Sequence, residues 1–122
     1  MPSFCLKKGA PMEHVLFVQQ VKEDKRKEYI NAHREAWPEL LRAIKESGIE
    51  REMIWMHENN IYIYIMAENF DKSMAKLTQK KIFQDWLIKM EPLLAIMQDY
   101  SGEGKVKTLE QVFDLEKQLK ES

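Results

Sequence analysis

The sequence predicts an α+β domain in which helices cover one face of a four-stranded antiparallel sheet, in the order β-α-β-β-α-β. Three observations carry that prediction. Short runs rich in β-branched and aromatic residues occur at 15–21, 52–57, 61–67 and 109–115. Apolar residues at helical spacing fill the stretch after the first run and the stretch before the last. The chain has 122 residues, 44% hydrophobic and 32% charged, enough to bury one core and too apolar for disorder.

The elements follow in order. Residues 1–13 read as a loose, flexible arm containing Lys7, Lys8, Gly9 and Pro11, without the apolar stretch of a signal peptide. Residues 14–115 form the domain. Its first strand is Val-Leu-Phe-Val-Gln-Gln-Val at 15–21. Asp24 is placed to cap a long helix running to about Ser47, with an apolar stripe of Ile30, Trp37, Leu40, Leu41 and Ile44. Pro38 removes one N–H from that helix and kinks it. Gly48 stands where a C-cap glycine belongs.

Residues 52–57 and 61–67 form a hairpin through Glu58-Asn59-Asn60, since Asn tolerates positive φ. Ile61, Ile63 and Ile65 share one face of the second strand, and Tyr62, Tyr64 and Met66 share the other. Both faces are largely apolar, so this strand is expected to be covered on both sides. Asp71 caps a short helix to about Leu77. A further helix presents Phe83, Trp86, Leu87 and Met90, and Pro92 ends it. Residues 100–107, with Ser101, Gly102 and Gly104, read as a loop. Residues 109–115 read as the last strand and 116–122 as a charged tail. This order is the split βαβ, or ferredoxin-like, arrangement. One sheet face would be bare in a single copy. A homodimer, with two sheets packed face to face or closed into an α/β barrel, would cover it.

Composition excludes several function classes. Nineteen basic residues against twenty acidic give a net charge of −1, without the basic excess of a nucleic-acid binder. No apolar run approaches the ~20 residues of a membrane span. One cysteine, Cys5, cannot form an internal disulfide, so the chain reads as reduced and cytoplasmic. The eight methionines read as adaptable core filler. There is no His-Glu-x-x-His, and one Cys with scattered His cannot build a structural zinc site. Gly9, Gly48, Gly102 and Gly104 do not form a phosphate loop. Neither a metal nor another cofactor is implied.

The candidate chemistry sits on the first helix. Tyr29, His33 and Trp37 are spaced i, i+4, i+8, which brings a phenol, an imidazole and an indole to one stripe. His33 is the histidine on an apolar helix face; His14 precedes a strand and His57 is near a turn. Spacing alone leaves two readings for each. His33 is a core histidine tied to a carbonyl, or a catalytic group. Tyr29 is an interface hydroxyl or a ligand contact, and Trp37 and Trp86 are core or a stacking platform. Tyr62 and Tyr64 are packing residues or border a pocket. Glu52, a carboxylate on a strand among apolar residues, is an edge residue or an acceptor for hydroxyls.

Tyr29-x-x-x-His33-x-x-x-Trp37-Pro38-Glu39-Leu40 resembles the N-terminal motif of the L-rhamnose mutarotase family. The strand ending Gln20-Val21, Gly48, Gln84-x-Trp86-x-x-x-Met90 and the terminal Val112-Phe113-x-Leu115 are similar as well, so the likeness spans residues 14–115. The resemblance implies a homodimeric ferredoxin-like barrel that interconverts the α and β anomers of L-rhamnose, or of a related 6-deoxyhexose such as L-fucose, without metal or cofactor. It implies that His33 is the catalytic proton donor, that Tyr29 binds substrate, and that Trp86 is the first of two tryptophans holding the sugar. Three residues depart from the pattern. Leu87 stands at the second tryptophan, Glu52 at a substrate-contacting tyrosine, and Asp114 at an aromatic position of the closing strand. Leu87 and Glu52 are expected to line the sugar pocket.

These residue types suit mutarotation. Opening a pyranose needs a proton given to the ring oxygen and one taken from the anomeric hydroxyl. Positioned acids and bases contribute ~10²–10⁴-fold to such steps, and histidine titrates near working pH. The expected roles are His33 as donor to the ring oxygen, Tyr29 orienting the sugar, and Trp86 as stacking wall with Trp37 in support. A water, Glu52 or a partner-chain residue would be the base. Two other readings are a small cofactor-free dimeric oxygenase on the same barrel type and a non-catalytic sugar-binding module.

Overall fold

The computed structural model describes residues 11–100 and 106–121. Cys5, Gly102 and Gly104 lie outside them. The strands are β1 (Glu13–Val21), β2 (Ile49–His57), β3 (Asn60–Ala67) and β4 (Leu94–Ile96), and the sheet order is β2-β3-β1-β4. All neighbours are antiparallel. The helices are α1 (Arg26–Arg34), α2 (Pro38–Glu46), α3 (Phe70–Thr78), α4 (Lys81–Met90) and α5 (Leu115–Glu121). The sheet order and the helices on one face give the expected ferredoxin-like arrangement. Among the described residues no helix is long and apolar enough to cross a membrane.

The strand β3 holds the sheet together. It pairs along its length with β1, from Glu13↔Ala67 to Gln20↔Asn60, and with β2 on its other edge. Alternation sends Ile61, Ile63, Ile65 and Ala67 into the core. Leu40, Ala43, Met74, Leu77, Phe83, Trp86 and Met90 descend on them from α2, α3 and α4. Tyr62, Tyr64 and Met66 point the other way, joined by Leu16, Met53 and Trp55 on the outer face. There the Tyr64 hydroxyl meets Nδ1 of His14 at 2.6 Å.

Four expectations need correction. The long helix is two helices. Arg34 ends α1, Trp37 takes an extended conformation (φ −63°, ψ 129°), and Pro38 opens α2 at its first position. A proline lacks an N–H that a helix start does not need, so it begins a helix more easily than it bends one. Asp24 does not cap α1. It lies in a short 3-10 turn, and no side chain caps the helix. The third helix is capped by Asn69, whose side-chain oxygen accepts from the Lys72 N–H at 3.0 Å, and not by Asp71.

The fourth strand is Leu94–Ile96, reached through a 3-10 turn after α4, and not residues 109–115. A strand exists only where it finds a ladder. β4 occupies the edge of β1 at Gln20 and Val21. The later segment keeps one bridge, Phe17↔Thr108, and the Leu109 N–H bond to the Leu16 carbonyl at 2.7 Å. Asp114 then caps α5 by accepting from the Lys117 N–H at 3.0 Å.

Gly48 ends α2 at φ +103°, a conformation L side chains rarely adopt. A Cβ there would also stand 2.7 Å from Oγ of Ser73. Gly48→Ala is expected to lower stability by about 2 kcal/mol, read as a drop in urea midpoint at unchanged slope.

Candidate active site

A cavity of about 420 Å³ opens between the helices and the inward face of the sheet. That lies within the ~300–1,000 Å³ usual for small-molecule sites. Phe17, Ile54, Ile63 and Ile65 make an apolar sheet wall, interrupted by Gln19 and Glu52. The helices contribute Tyr29, His33, Trp86 and Leu87, and Tyr100 adds a phenol.

Tyr29 and His33 are one turn apart on α1, and their rings meet at 4.2 Å between centroids. Nδ1 of His33 lies 2.9 Å from the backbone carbonyl oxygen of Tyr29. A carbonyl only accepts, so Nδ1 holds the proton of the neutral ring and Nε2 keeps the lone pair. Burial lowers the imidazole pKa, and the Lys89 ammonium lowers it further, against the opposing pull of the Tyr29 carbonyl. His33 is therefore mostly neutral at pH 7, with Nε2 as an acceptor.

Trp86 is buried on α4. Its indole lies edge-to-face with the His33 ring and with the Trp37 ring, each at 5.2 Å. Nζ of Lys89, one turn further along α4, sits 5.3 Å from the Trp37 ring centroid and 5.8 Å from that of Trp86, at cation–π range. Trp37 supports Trp86 and does not line the cavity.

Glu52 faces the cavity because of a bulge. Ile49 and Glu52 are three residues apart, and regular alternation would send them to opposite faces. The pairing shifts between Ile49 and Arg51, so Ile49 opposes Ala67 and Glu52 opposes Ile65. Both partners point inward, and so do both β2 residues. The Glu52 side chain borders the cavity and keeps an exposed surface. Protein packed around the carboxyl disfavours its charge and pushes it up to about 7. It makes no hydrogen bond or ion pair with another described residue. The phenols of Tyr29 and Tyr100 are raised by burial and by the nearby Glu52 charge, so both remain O–H donors.

The structure thus gathers Tyr29, His33, Glu52, Trp86 and Leu87 around one cavity. Tyr62 and Tyr64 lie on the opposite face of the sheet and do not border it. Three groups at or beside the site were not among the sequence candidates: Tyr100 and Gln19 line the cavity, and Lys89 acts on His33. Tyr100 carries no periodic signal; its hydroxyl donates to Oε1 of Gln19 at 3.1 Å. Gln19 was legible in principle, since Phe17, Gln19 and Val21 alternate inward. Lys89 was legible as the residue one turn beyond Trp86. Among the described residues no group of three or more His, Cys, Asp or Glu could hold a metal ion.

Residues 14–115 match the model of the L-rhamnose mutarotase family. The chain belongs to that family. It is 31% identical over 103 residues to the L-rhamnose mutarotase of Oceanobacillus iheyensis, across 82% of this chain and 95% of the relative. Among solved structures it is similar to the L-rhamnose mutarotase of Formosa agariphila, with a TM-score of 0.66 at 20% identity over 84% of this chain and 97% of that one. A dimeric ferredoxin-like protein from an uncultured marine organism shares the fold at a TM-score of 0.50 and 18% identity, over 84% and 97% of the two chains.

The Glu52 carboxyl gives a stability signature. The folded state keeps a proton up to about pH 7, whereas the unfolded chain releases it near 4.5. Between these values the folded state binds more protons, so stability falls as pH rises through the window. Glu52→Gln is expected to remove that fall. The variant should gain stability over wild type at pH 8, and the gain should shrink toward pH 5, as thermal melts across the range would show.

Proposed function

We propose that the protein is a sugar mutarotase, an isomerase interconverting the α and β anomers of L-rhamnose by acid–base ring opening. The observation that carries this reading is His33: an imidazole whose Nδ1 is held by the Tyr29 carbonyl, on the wall of a sugar-sized cavity beside Trp86, in a chain of the L-rhamnose mutarotase family. With Nδ1 committed, the proton moves through Nε2. Opening and closure are reverses of each other, so a group that accepts the anomeric proton in one direction donates it in the other. His33 therefore starts neutral, which favours accepting the anomeric proton over the expected first step of donating to the ring oxygen, and it serves as donor on reclosure.

Trp86 offers an aromatic surface to the C–H face of a deoxy sugar, and Tyr29 and Tyr100 offer hydroxyls. Leu87 continues the apolar wall and suits a sugar whose C6 is a methyl group. A second copy of the chain covers the outer sheet face. In support, Trp55 is 55% exposed there, beside the groove of Leu16, Met53, Tyr62, Tyr64 and Met66. The single cysteine, Cys5, suits a reducing, cytoplasmic setting.

Two experiments test these readings. Saturation-transfer NMR on L-rhamnose, L-fucose, D-glucose, D-galactose and D-ribose should give fast anomer exchange with L-rhamnose, and His33→Ala should lower it at least tenfold; an unchanged rate would reject the role of His33. Analytical ultracentrifugation at micromolar protein should give a dimer for wild type and a monomer for Trp55→Glu. A wild-type monomer at every concentration would overturn the dimer.

A further inference from the structure

The bulge in β2 brings the Glu52 carboxyl to the wall of the cavity that His33 also lines, and this placement carries an inference about the reaction. We propose that Glu52 is the second catalytic residue, an acid on the sheet wall that works with the base His33 on the helix wall. The inference rests on the mutarotase reading and deepens it.

Three observations support it. Glu52 and His33 line the same cavity from opposite layers of the fold, so a ring held between sheet and helices lies within the span of both. Nδ1 of His33 is committed to a carbonyl, which leaves the neutral ring no second proton to give at Nε2. A neutral imidazole alone opens no ring; it needs an acid elsewhere. Glu52 has no partner among the described residues, so its carboxyl is available to a ligand. The electrostatics agree. Burial holds Glu52 protonated up to about 7 while His33 is shifted down, so acid and base coexist near neutrality.

The groups facing this pair are few. Tyr29 from α1 and Tyr100 stand nearest Glu52 in charge, and both are protonated phenols. Lys45 from α2, with Glu50 and Arg51 from β2, also line the cavity. Lys89 from α4 acts on His33. The inward residues of β1 and β3 along this wall, Phe17, Gln19, Ile63 and Ile65, bring no charge.

The step balances. Nε2 of His33 takes the proton of the anomeric hydroxyl as the C1–O1 bond becomes a carbonyl. The C1–O5 bond breaks, its electron pair passes to the ring oxygen, and the Glu52 carboxyl protonates that oxygen. Rotation about C1–C2 presents the other carbonyl face. The Glu52 carboxylate then removes the O5 proton as O5 attacks C1, and the imidazolium returns its proton to O1. The protein ends as it began, and the sugar has changed anomer.

The test is anomer exchange of L-rhamnose by saturation transfer, at several sugar concentrations from pH 5 to 9, for wild type, Glu52→Gln and His33→Ala. Glu52→Gln keeps the shape and cannot transfer the proton. Its kcat is expected to fall at least tenfold with little change in KM, and the decline of the wild-type rate above about pH 7 should disappear. Added acetate should restore part of the rate to Glu52→Ala, whose cavity has room for it. A Glu52→Gln enzyme with the wild-type kcat and the same alkaline decline would overturn the proposal and leave the mutarotase reading standing. A wild type that accelerates exchange of no sugar would overturn both.

Discussion

Burying the alternate isoleucines of β3 orders the rest of the molecule. A buried isoleucine contributes about 1.5–3 kcal/mol, and Ile61, Ile63 and Ile65 all lie in the core. A slip of one residue against either neighbour would expose the set and bury Tyr62 and Tyr64 instead. The registers of β1 and β2 are therefore fixed from the centre of the sheet outward. Once they are fixed, the inward positions are Phe17, Gln19 and Val21 on β1 and Glu52 and Ile54 on β2. The helices close over those side chains, and the cavity lies between the two layers.

Within that cavity the environment separates two titratable groups. Burial disfavours charge on both, which moves an imidazole down and a carboxyl up. The same apolar wall thus favours a neutral imidazole and a neutral carboxyl. Lys89 adds to the effect on His33 while its charge rests over the indoles of Trp37 and Trp86.

Much of this was legible in the sequence. The first three strands, the hairpin, the helix ending before Pro92 and the glycine at 48 follow from periodicity and backbone chemistry, and the structure extends β1 and β2 only by a few residues. The Tyr29–His33 pair followed from helical spacing and is in contact. Other features depend on context. Leu94–Ile96 is too short to show alternation and is a strand because β1 has a free edge there. Residues 109–115 have strand composition without an available ladder. Trp37 left the helical stripe because Pro38 starts a helix. At the hairpin, positive φ falls on Glu58 and not on an asparagine, with the Glu58 carbonyl held by Nε of Arg26 at 3.0 Å. The inward turn of Glu52 needed the bulge, which a strict count of two along β2 does not reveal.

That bulge divides the surface of β2 by parity. Glu52 and Ile54 belong to the cavity, while Met53 and Trp55 belong to the outer groove. Point substitutions can therefore alter the chemistry of one face without visiting the other, and each face is free to diverge at its own pace. Insertions and deletions have no such freedom. One residue gained or lost near Glu50 would exchange the two sets at once, so the lineage of this strand is open to changes of letter and closed to changes of length.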